Sequence, residues 1–244
     1  MSAAGSVGPV RLLLVRHGET VLNERGVLDA EAPGARLSAL GRAQAAALVD
    51  RLAGERIAVL GHSSMTRTRE TAQPLASARA LPLRLIAGSE EILAGDLQGV
   101  TDPRLVHRYL ETALAWSSGD LAPRIPGGED GGEFFDRFDA GIAEIVRRLR
   151  SAHRDGVTGS AVLVTHSAAI RVWVARRAQG LGADFSARRP LSNTGIVVLE
   201  GAPESGWRLA GWAVDRIPGA VDGGHDDAGD PLGAPLDASA DDLD

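Results

Sequence analysis

The chain has no cysteine among its 244 residues, so neither a disulfide framework nor thiolate zinc ligation is open to it, and its redox compartment leaves no trace. Lysine is missing as well. Every one of the 26 basic residues is arginine, so any phosphate pocket must be built from forked guanidiniums and imidazoles, not ammonium groups. Aromatic residues make up only 4% of the chain, and Trp116, Trp173, Trp207 and Trp212 are scattered with no interleaved basic residues. They read as core or edge packing, not as a stacking platform. A net charge of −6 gives no basic face for nucleic acid. No apolar run approaches membrane-spanning length, and Met1 to Pro9 lacks a basic region leading into a long apolar segment. The expectation is a cytoplasmic protein with neither nucleic-acid nor membrane partner.

What is present is a repeated pattern. The apolar run Val10 to Val15 stops abruptly at Arg16, His17 and Gly18, as a buried parallel strand does when it delivers polar groups to the rim of a sheet. Ala161 to Val164 ends in the same way at Thr165, His166 and Ser167, and Ile57 to Leu60 leads through Gly61, His62, Ser63 and Ser64 into a helix carrying Arg67, Arg69, Glu70 and Thr71. Between these lie a helix capped by Ser38, with Leu40, Ala43, Ala47 and Leu48 at helical spacing, and a third strand from Leu83 to Ile86. Thr101 to Arg124 reads as a helix around Tyr109 and Trp116, and Phe134 to Arg150 as an amphipathic helix with Phe138, Ile142, Ile145 and Leu149 on one face. Ile196 to Leu199 and Trp207 to Val214 suggest a closing β-pair. Strands alternating with helices over this length predict an α/β fold, a three-layer sandwich with a mostly parallel sheet flanked by helices. One domain over 1–217 accounts for it. From 218 to 244 the chain turns to Gly, Asp, Ala and Pro, an acidic tail too poor in apolar surface to offset its chain entropy and therefore expected to be disordered.

In open α/β sheets ligands bind outside the carboxyl ends of the strands, and a following helix start adds backbone donors for an anion. His17 and His166 both fall there. Phosphoryl transfer asks for an in-line nucleophile, fixed positive charge around the equatorial oxygens and a proton for the leaving oxygen. A neutral His17 can attack phosphorus, provided an acceptor holds its other ring nitrogen. Arg16, Arg67 and a protonated His166 can hold the oxygens, and Glu91 or Glu90 can protonate the leaving group if burial or a neighbouring carboxylate tunes it. Asn23 and the Ser167 amide are secondary donors. No step requires a metal or another cofactor. His62, His107, His153 and His225 have no motif around them and read as structural or solvent-exposed.

Leu14-Val15-Arg16-His17-Gly18-Glu19-Thr20 with Asn23 resembles the signature of the histidine phosphatase superfamily, the group that includes cofactor-dependent phosphoglycerate mutases. Further matches follow in the family's order: Leu37-Ser38 with Gly41 and Gln44-Ala45, Ser63 with Arg67 and Thr71-Ala72, Glu91 with Gly95 and Gly99, Gly128-Glu129 with Arg137, and Thr165-His166-Ser167 with Ile170-Arg171. The resemblance implies His17 as the phosphorylated nucleophile, a pocket of Arg16, Arg67 and His166, Glu91 as proton donor, and Asn23, Gly18 and Ser167 as substrate-binding residues. It also implies the mutase-like sheet and a small phosphorylated metabolite as partner; a homodimer is admitted and not required.

Departures from the mutases bear on the substrate. Where mutases carry a Tyr before the glycine that follows their acid, and a Lys a few residues later, this chain has Ala94 and Asp102. Around Leu28 to Ala30, where they place a small hydroxyl residue and glycine, stand Asp29 and Ala30, and an Asp facing a phosphoglycerate carboxylate repels it. The usual Gly after the second histidine is Ser167. The resemblance therefore favours a phosphatase; the alternatives are a phosphoglycerate mutase or a phosphate-binding regulatory module without turnover.

Overall fold

A computed structural model describes residues 8–182 and 184–214. The expected acidic tail, His225 and the segment before residue 8 lie outside the described residues. In chain order the elements are β1 (Val10–Arg16), α1 (Ala39–Arg51), β2 (Ile57–His62), α2 (Thr66–Arg79), β3 (Leu83–Leu85), α3 (Pro103–Ser118), α4 (Gly131–Arg154), β4 (Ser160–Thr165), α5 (Ser167–Arg177), the short α6 (Phe185–Arg188), β5 (Ile196–Ala202) and β6 (Gly206–Val214). The six strands form one sheet in the order β3-β2-β4-β1-β5-β6. It is mixed. β3, β2, β4 and β1 run parallel, while β5 and β6 complete it as the antiparallel pair expected from the Gly201–Gly206 turn.

Both faces are covered, and alternation along β1 shows how. Leu12 and Leu14 enter the larger core, with the apolar side chains of α3, α4 and α5; Leu13 and Val15 enter the smaller one, with Leu48, Leu52, Ala72 and Leu75 from the α1 and α2 side. A strand buried on both faces needs apolar residues at every position, which is why this run shows no polar alternation. The few aromatics are concentrated on one face, where Trp116, Phe134, Phe138, Trp173 and Trp207 form a chain of ring contacts with centroids 5.5–6.0 Å apart.

α4 starts with a full capping box, Asp130 with Glu133, and buries the face carrying Phe138, Ile142, Ile145 and Leu149. α1 begins as expected, with the Ser38 hydroxyl accepting from the Gly41 amide at 2.9 Å. Its buried face differs from the spacing read in the sequence: Gly41, Gln44, Ala45 and Leu48 point inward, and Leu40 and Ala43 are exposed. The cause is backbone contact. A Cβ at Gly41 would stand 1.9 Å from the Glu19 carbonyl oxygen, so the helix is pressed on the loop after β1 along its glycine side. Among the described residues no helix is long and apolar enough to cross a membrane.

Candidate active site

Two histidines separated by most of the chain meet because β1 and β4 are parallel neighbours in register. Arg16 stands opposite Thr165, and the His17 amide donates to the Thr165 carbonyl at 3.0 Å. The next residue on each strand is a histidine, and the ring centroids are 5.3 Å apart with planes tilted by 59°. The segment before β5 closes the other side. The His17 carbonyl accepts from Asn193 Nδ2 and from the Thr194 amide, and Arg16 Nη1 donates to the Leu191 carbonyl at 2.7 Å.

The acceptor that fixes the His17 tautomer is a backbone atom. Nδ1 lies 2.8 Å from the Gly18 carbonyl, which can only accept, so Nδ1 carries the proton and Nε2 keeps its lone pair. Burial, and then the Arg67 and Arg16 guanidiniums, hold the ring's pKa well below the ordinary value near 6.5, so the imidazole is neutral. Gly18 itself offers no donor to a ligand: its amide goes to Thr71 Oγ1 at 2.9 Å. Close approach of the backbones calls for glycine here, since a Cβ would stand 2.7 Å from the Gly41 carbonyl oxygen.

His166 is fully buried, with Nε2 2.8 Å from Ser63 Oγ and Nδ1 without a hydrogen-bond partner among the described residues. Burial first, then Arg67, His17, Arg137 and Arg16, push its pKa well below the ordinary range. The protonated His166 expected from the sequence is therefore neutral in the folded protein; a bound dianion is what would give a proton there a reason to stay.

Arg67 comes from the first turn of α2, and its side chain is buried against the loop after β1. Nη2 donates to the Asp29 carbonyl at 2.9 Å and Nη1 to Asp29 Oδ2 at 3.2 Å, leaving a buried Nε with no partner among the described residues. Asp29 is thus the counter-ion of a pocket arginine and not a loose charge. Its other oxygen accepts from Gln98 Nε2 at 3.0 Å, and Oδ2 also takes the Ala35 amide at 2.8 Å.

Of the paired glutamates only Glu91 is buried. Its Oε1 accepts from the amides of Ile92 and Ala169 at 2.9 and 2.8 Å, and Oε2 from the Ala168 amide at 3.2 Å, so it sits on the N-terminus of α5 one residue past His166 and Ser167. Glu90 turns away and accepts from the Ser64 amide at 3.2 Å, so the two carboxylates face different partners. The strip carrying Glu91 is held by Arg137, which donates to the carbonyls of Gly88, Glu90 and Glu91 at 2.8–3.0 Å and is braced by Glu129. Nothing in the sequence reading assigned Arg137 or Ser63 a job; a carbonyl cluster has no side-chain signature.

Asn23 is nine-tenths buried and closes a reciprocal turn with Thr20, each amide bonded to the other's side-chain oxygen at 3.0 Å. Ser167 is buried at the first position of α5, where its amide belongs to the helix N-terminus. Of the histidines read as structural, His62 bonds the Ser63 carbonyl, His107 pairs with Glu111 and His153 meets the Gly159 carbonyl. Among the described residues no three or more His, Asp or Glu side chains cluster as metal ligands would.

A model of the family described as "Histidine phosphatase superfamily (branch 1)" matches residues 12–215. A PE-PGRS family protein of Mycobacterium tuberculosis is 33% identical over 217 residues, 84% of this chain; the chain spans only 36% of that protein's length. The adenosylcobalamin/alpha-ribazole phosphatase of Escherichia coli is 30% identical over 168 residues, 68% of this chain and 78% of that protein. Among solved structures, a mycobacterial glucosyl-3-phosphoglycerate phosphatase in complex with VO3 superposes with a TM-score of 0.69 at 27% identity, covering 84% of this chain and 99% of that one.

Proposed function

Since the chain belongs to branch 1 of the histidine phosphatase superfamily, we propose that it hydrolyses a small-molecule phosphomonoester through a phosphohistidine on His17, without a metal. The observation that carries this is the His17 ring: neutral, buried, its Nδ1 anchored at 2.8 Å to the Gly18 carbonyl, and its second nitrogen left for attack beside a second imidazole and two arginines.

Nε2 of His17 forms the bond to phosphorus as the bond to the ester oxygen breaks. Arg16, Arg67 and His166 hold the three equatorial oxygens as charge spreads over them, each such donor contributing on the order of 10² to 10³ in rate. The leaving oxygen takes its proton from Glu91. Of that side chain's oxygens Oε2, with one acceptor contact at 3.2 Å, is the one to carry the proton; Oε1 already accepts two. Glu91, now a carboxylate, then takes a proton from water as the water oxygen attacks the phosphohistidine, which returns His17 to its neutral form and releases inorganic phosphate. The side chain supplies the nucleophile and the guanidiniums the charge, so no step calls on a divalent ion. Asn23 and the Ser167 amide are secondary phosphate donors, and a cytoplasmic pool of phosphorylated metabolites is the setting this chemistry fits.

The test is a hydrolysis screen over a panel of phosphate esters with the wild type and His17→Ala, in the presence and absence of excess chelator. The wild type should release phosphate and trap an acid-labile phosphoenzyme at equal rates with or without chelator. The variant should lose at least ~10³ in kcat, because it lacks the nucleophile and keeps only binding and charge stabilisation. Comparable turnover in the variant refutes the mechanism. Return of the phosphoryl group to 3-phosphoglycerate, in place of hydrolysis, would make the protein a mutase.

A further inference from the structure

The side chain given the proton-donor role sits on a stretch with no regular structure of its own, since residues 86–94 belong to neither helix nor strand. Carbonyls in such a stretch have no ladder partner and must accept from something else. Here five in a row accept from side chains. The Gly88 and Glu90 carbonyls take Arg137 Nη1 at 3.0 and 2.9 Å, and the Glu91 carbonyl takes Nη2 at 2.8 Å. Thr165 Oγ1 donates to the Ser89 carbonyl at 2.6 Å, and the Tyr109 hydroxyl to the Ile92 carbonyl at 2.7 Å. The donors stand on α4, β4 and α3, so three separate elements fix one irregular strip.

Arg137 is itself held. Glu129 Oε2 accepts from its Nε at 2.8 Å while Glu129 Oε1 accepts from the Leu93 amide at 2.8 Å, so the ion pair grips the backbone on both sides of Glu91. The guanidinium lies over the Phe134 ring, 5.2 Å from its centroid, which fixes its plane. At Gly88, with φ +87°, a Cβ would stand 2.3 Å from the Arg137 carbonyl oxygen, so the strip is pressed directly on α4. We infer that Arg137, with Tyr109 and Thr165, is a positioning residue for the reaction: the three side chains hold the backbone of Glu91 so that its carboxyl meets the leaving oxygen. The inference rests on the phosphatase reading. A general acid works within about 2.6–3.2 Å of the atom it protonates, and a displacement of about 1 Å costs on the order of 10² in rate. A lysine at 137 could not serve, because one ammonium nitrogen cannot meet three carbonyls and a carboxylate that the planar fork meets together.

Two aryl esters of similar size separate positioning from plain stability. p-Nitrophenol departs as a stabilised anion with little help from an acid, whereas phenol needs its oxygen protonated as the bond to phosphorus breaks. Arg137→Lys keeps a positive charge near Glu129 and His166 and removes the fork. In a single turnover, phenol release from phenyl phosphate should slow on the order of 10²-fold, and p-nitrophenol release from its ester by no more than about threefold. Tyr109→Phe, which loses only a hydroxyl, should slow phenol release about fivefold with the same selectivity. In a Glu91→Gln background neither substitution should slow phenol release further, because the acid they position is gone. Equal slowing of the two esters, or a full additional loss in the Glu91→Gln background, would mean that these side chains only stabilise the fold, and overturns the proposal. Should Arg137→Lys fail to fold, Tyr109→Phe decides by the same criteria. Release of neither phenol by the wild type, with no phosphoenzyme, is instead a failure of the phosphatase reading, and the inference falls with it.

Discussion

His17 leaves β1 with Nδ1 tied to a carbonyl at 2.8 Å, whereas His166 leaves the neighbouring β4 with Nε2 on the Ser63 hydroxyl at 2.8 Å and Nδ1 without a partner among the described residues. The strand ends are alike in sequence and in register, and both rings are held neutral by burial and nearby guanidiniums. What differs is the partner. A carbonyl can only accept, so it fixes one tautomer; a hydroxyl donates or accepts, so it leaves the tautomer to whatever else the ring meets. The first arrangement suits a group that must always present a lone pair. The second suits one that must offer an N–H to an anion when the anion arrives.

The sharpest way to break this comparison is to remove the second ring. His166→Gln keeps a polar side chain of similar reach but cannot take up a proton. We expect a fall in kcat on the order of 10² to 10³, with the phosphoenzyme on His17 still formed, only more slowly. A phosphoenzyme that no longer forms at all would mean the two rings do the same job.

A second effect concerns stability, and there the two rings should behave alike. Their folded-state pKa values lie well below the value near 6.5 of the unfolded chain, so below that pH the unfolded chain binds protons that the folded protein does not. Stability is therefore full above about pH 6.5 and declines as the pH falls toward the lowered folded-state values, by about 1.4 kcal/mol per pH unit for each ring. His62, also lowered by burial, adds in the same direction. Denaturant unfolding at pH 7.5 and 5.5 checks this: His166→Gln should lose roughly half of the dependence due to the pair, and a flat profile in the wild type would show that the rings are not buried and neutral.

How much of this was legible in the sequence follows from which atoms carry the information. Runs buried on both faces, such as Leu12 to Val15, announce a parallel strand, and two such runs ending in histidine predicted the meeting that the register of β1 and β4 produces. Backbone acceptors have no letter. The Gly18 carbonyl that sets the His17 tautomer, and the carbonyls of Gly88, Glu90 and Glu91 that hold Arg137, are the same atom in every residue. Asp29 was visible as a charge but not as half of an ion pair, since Arg67 lies on another element. For the same reason the adjacency of Glu90 and Glu91 in sequence suggested a neighbouring pair, while the fold sends Glu90 to the Ser64 amide and Glu91 to the start of α5.

The smallest effect tests the hydroxyl itself. Thr68 donates its proton to the Met65 carbonyl at 2.7 Å, so its oxygen is left to accept, and Ser63 Oγ stands between that oxygen at 3.0 Å and His166 Nε2 at 2.8 Å. When Ser63 donates to Nε2, the imidazole proton sits on Nδ1, the buried atom with no protein partner, and a phosphate oxygen can take it up. When Ser63 donates to Thr68, the proton sits on Nε2 and Nδ1 turns a lone pair toward any anion. Ser63→Ala removes the switch without opening a large cavity. One hydrogen bond of this kind is worth about 1 kcal/mol, so kcat/KM should fall about three- to tenfold, with phosphoenzyme formation kept and inorganic phosphate bound more weakly. An unchanged affinity for phosphate would show that the hydroxyl does not set the tautomer, and would leave the two histidines distinguished by their neighbours alone.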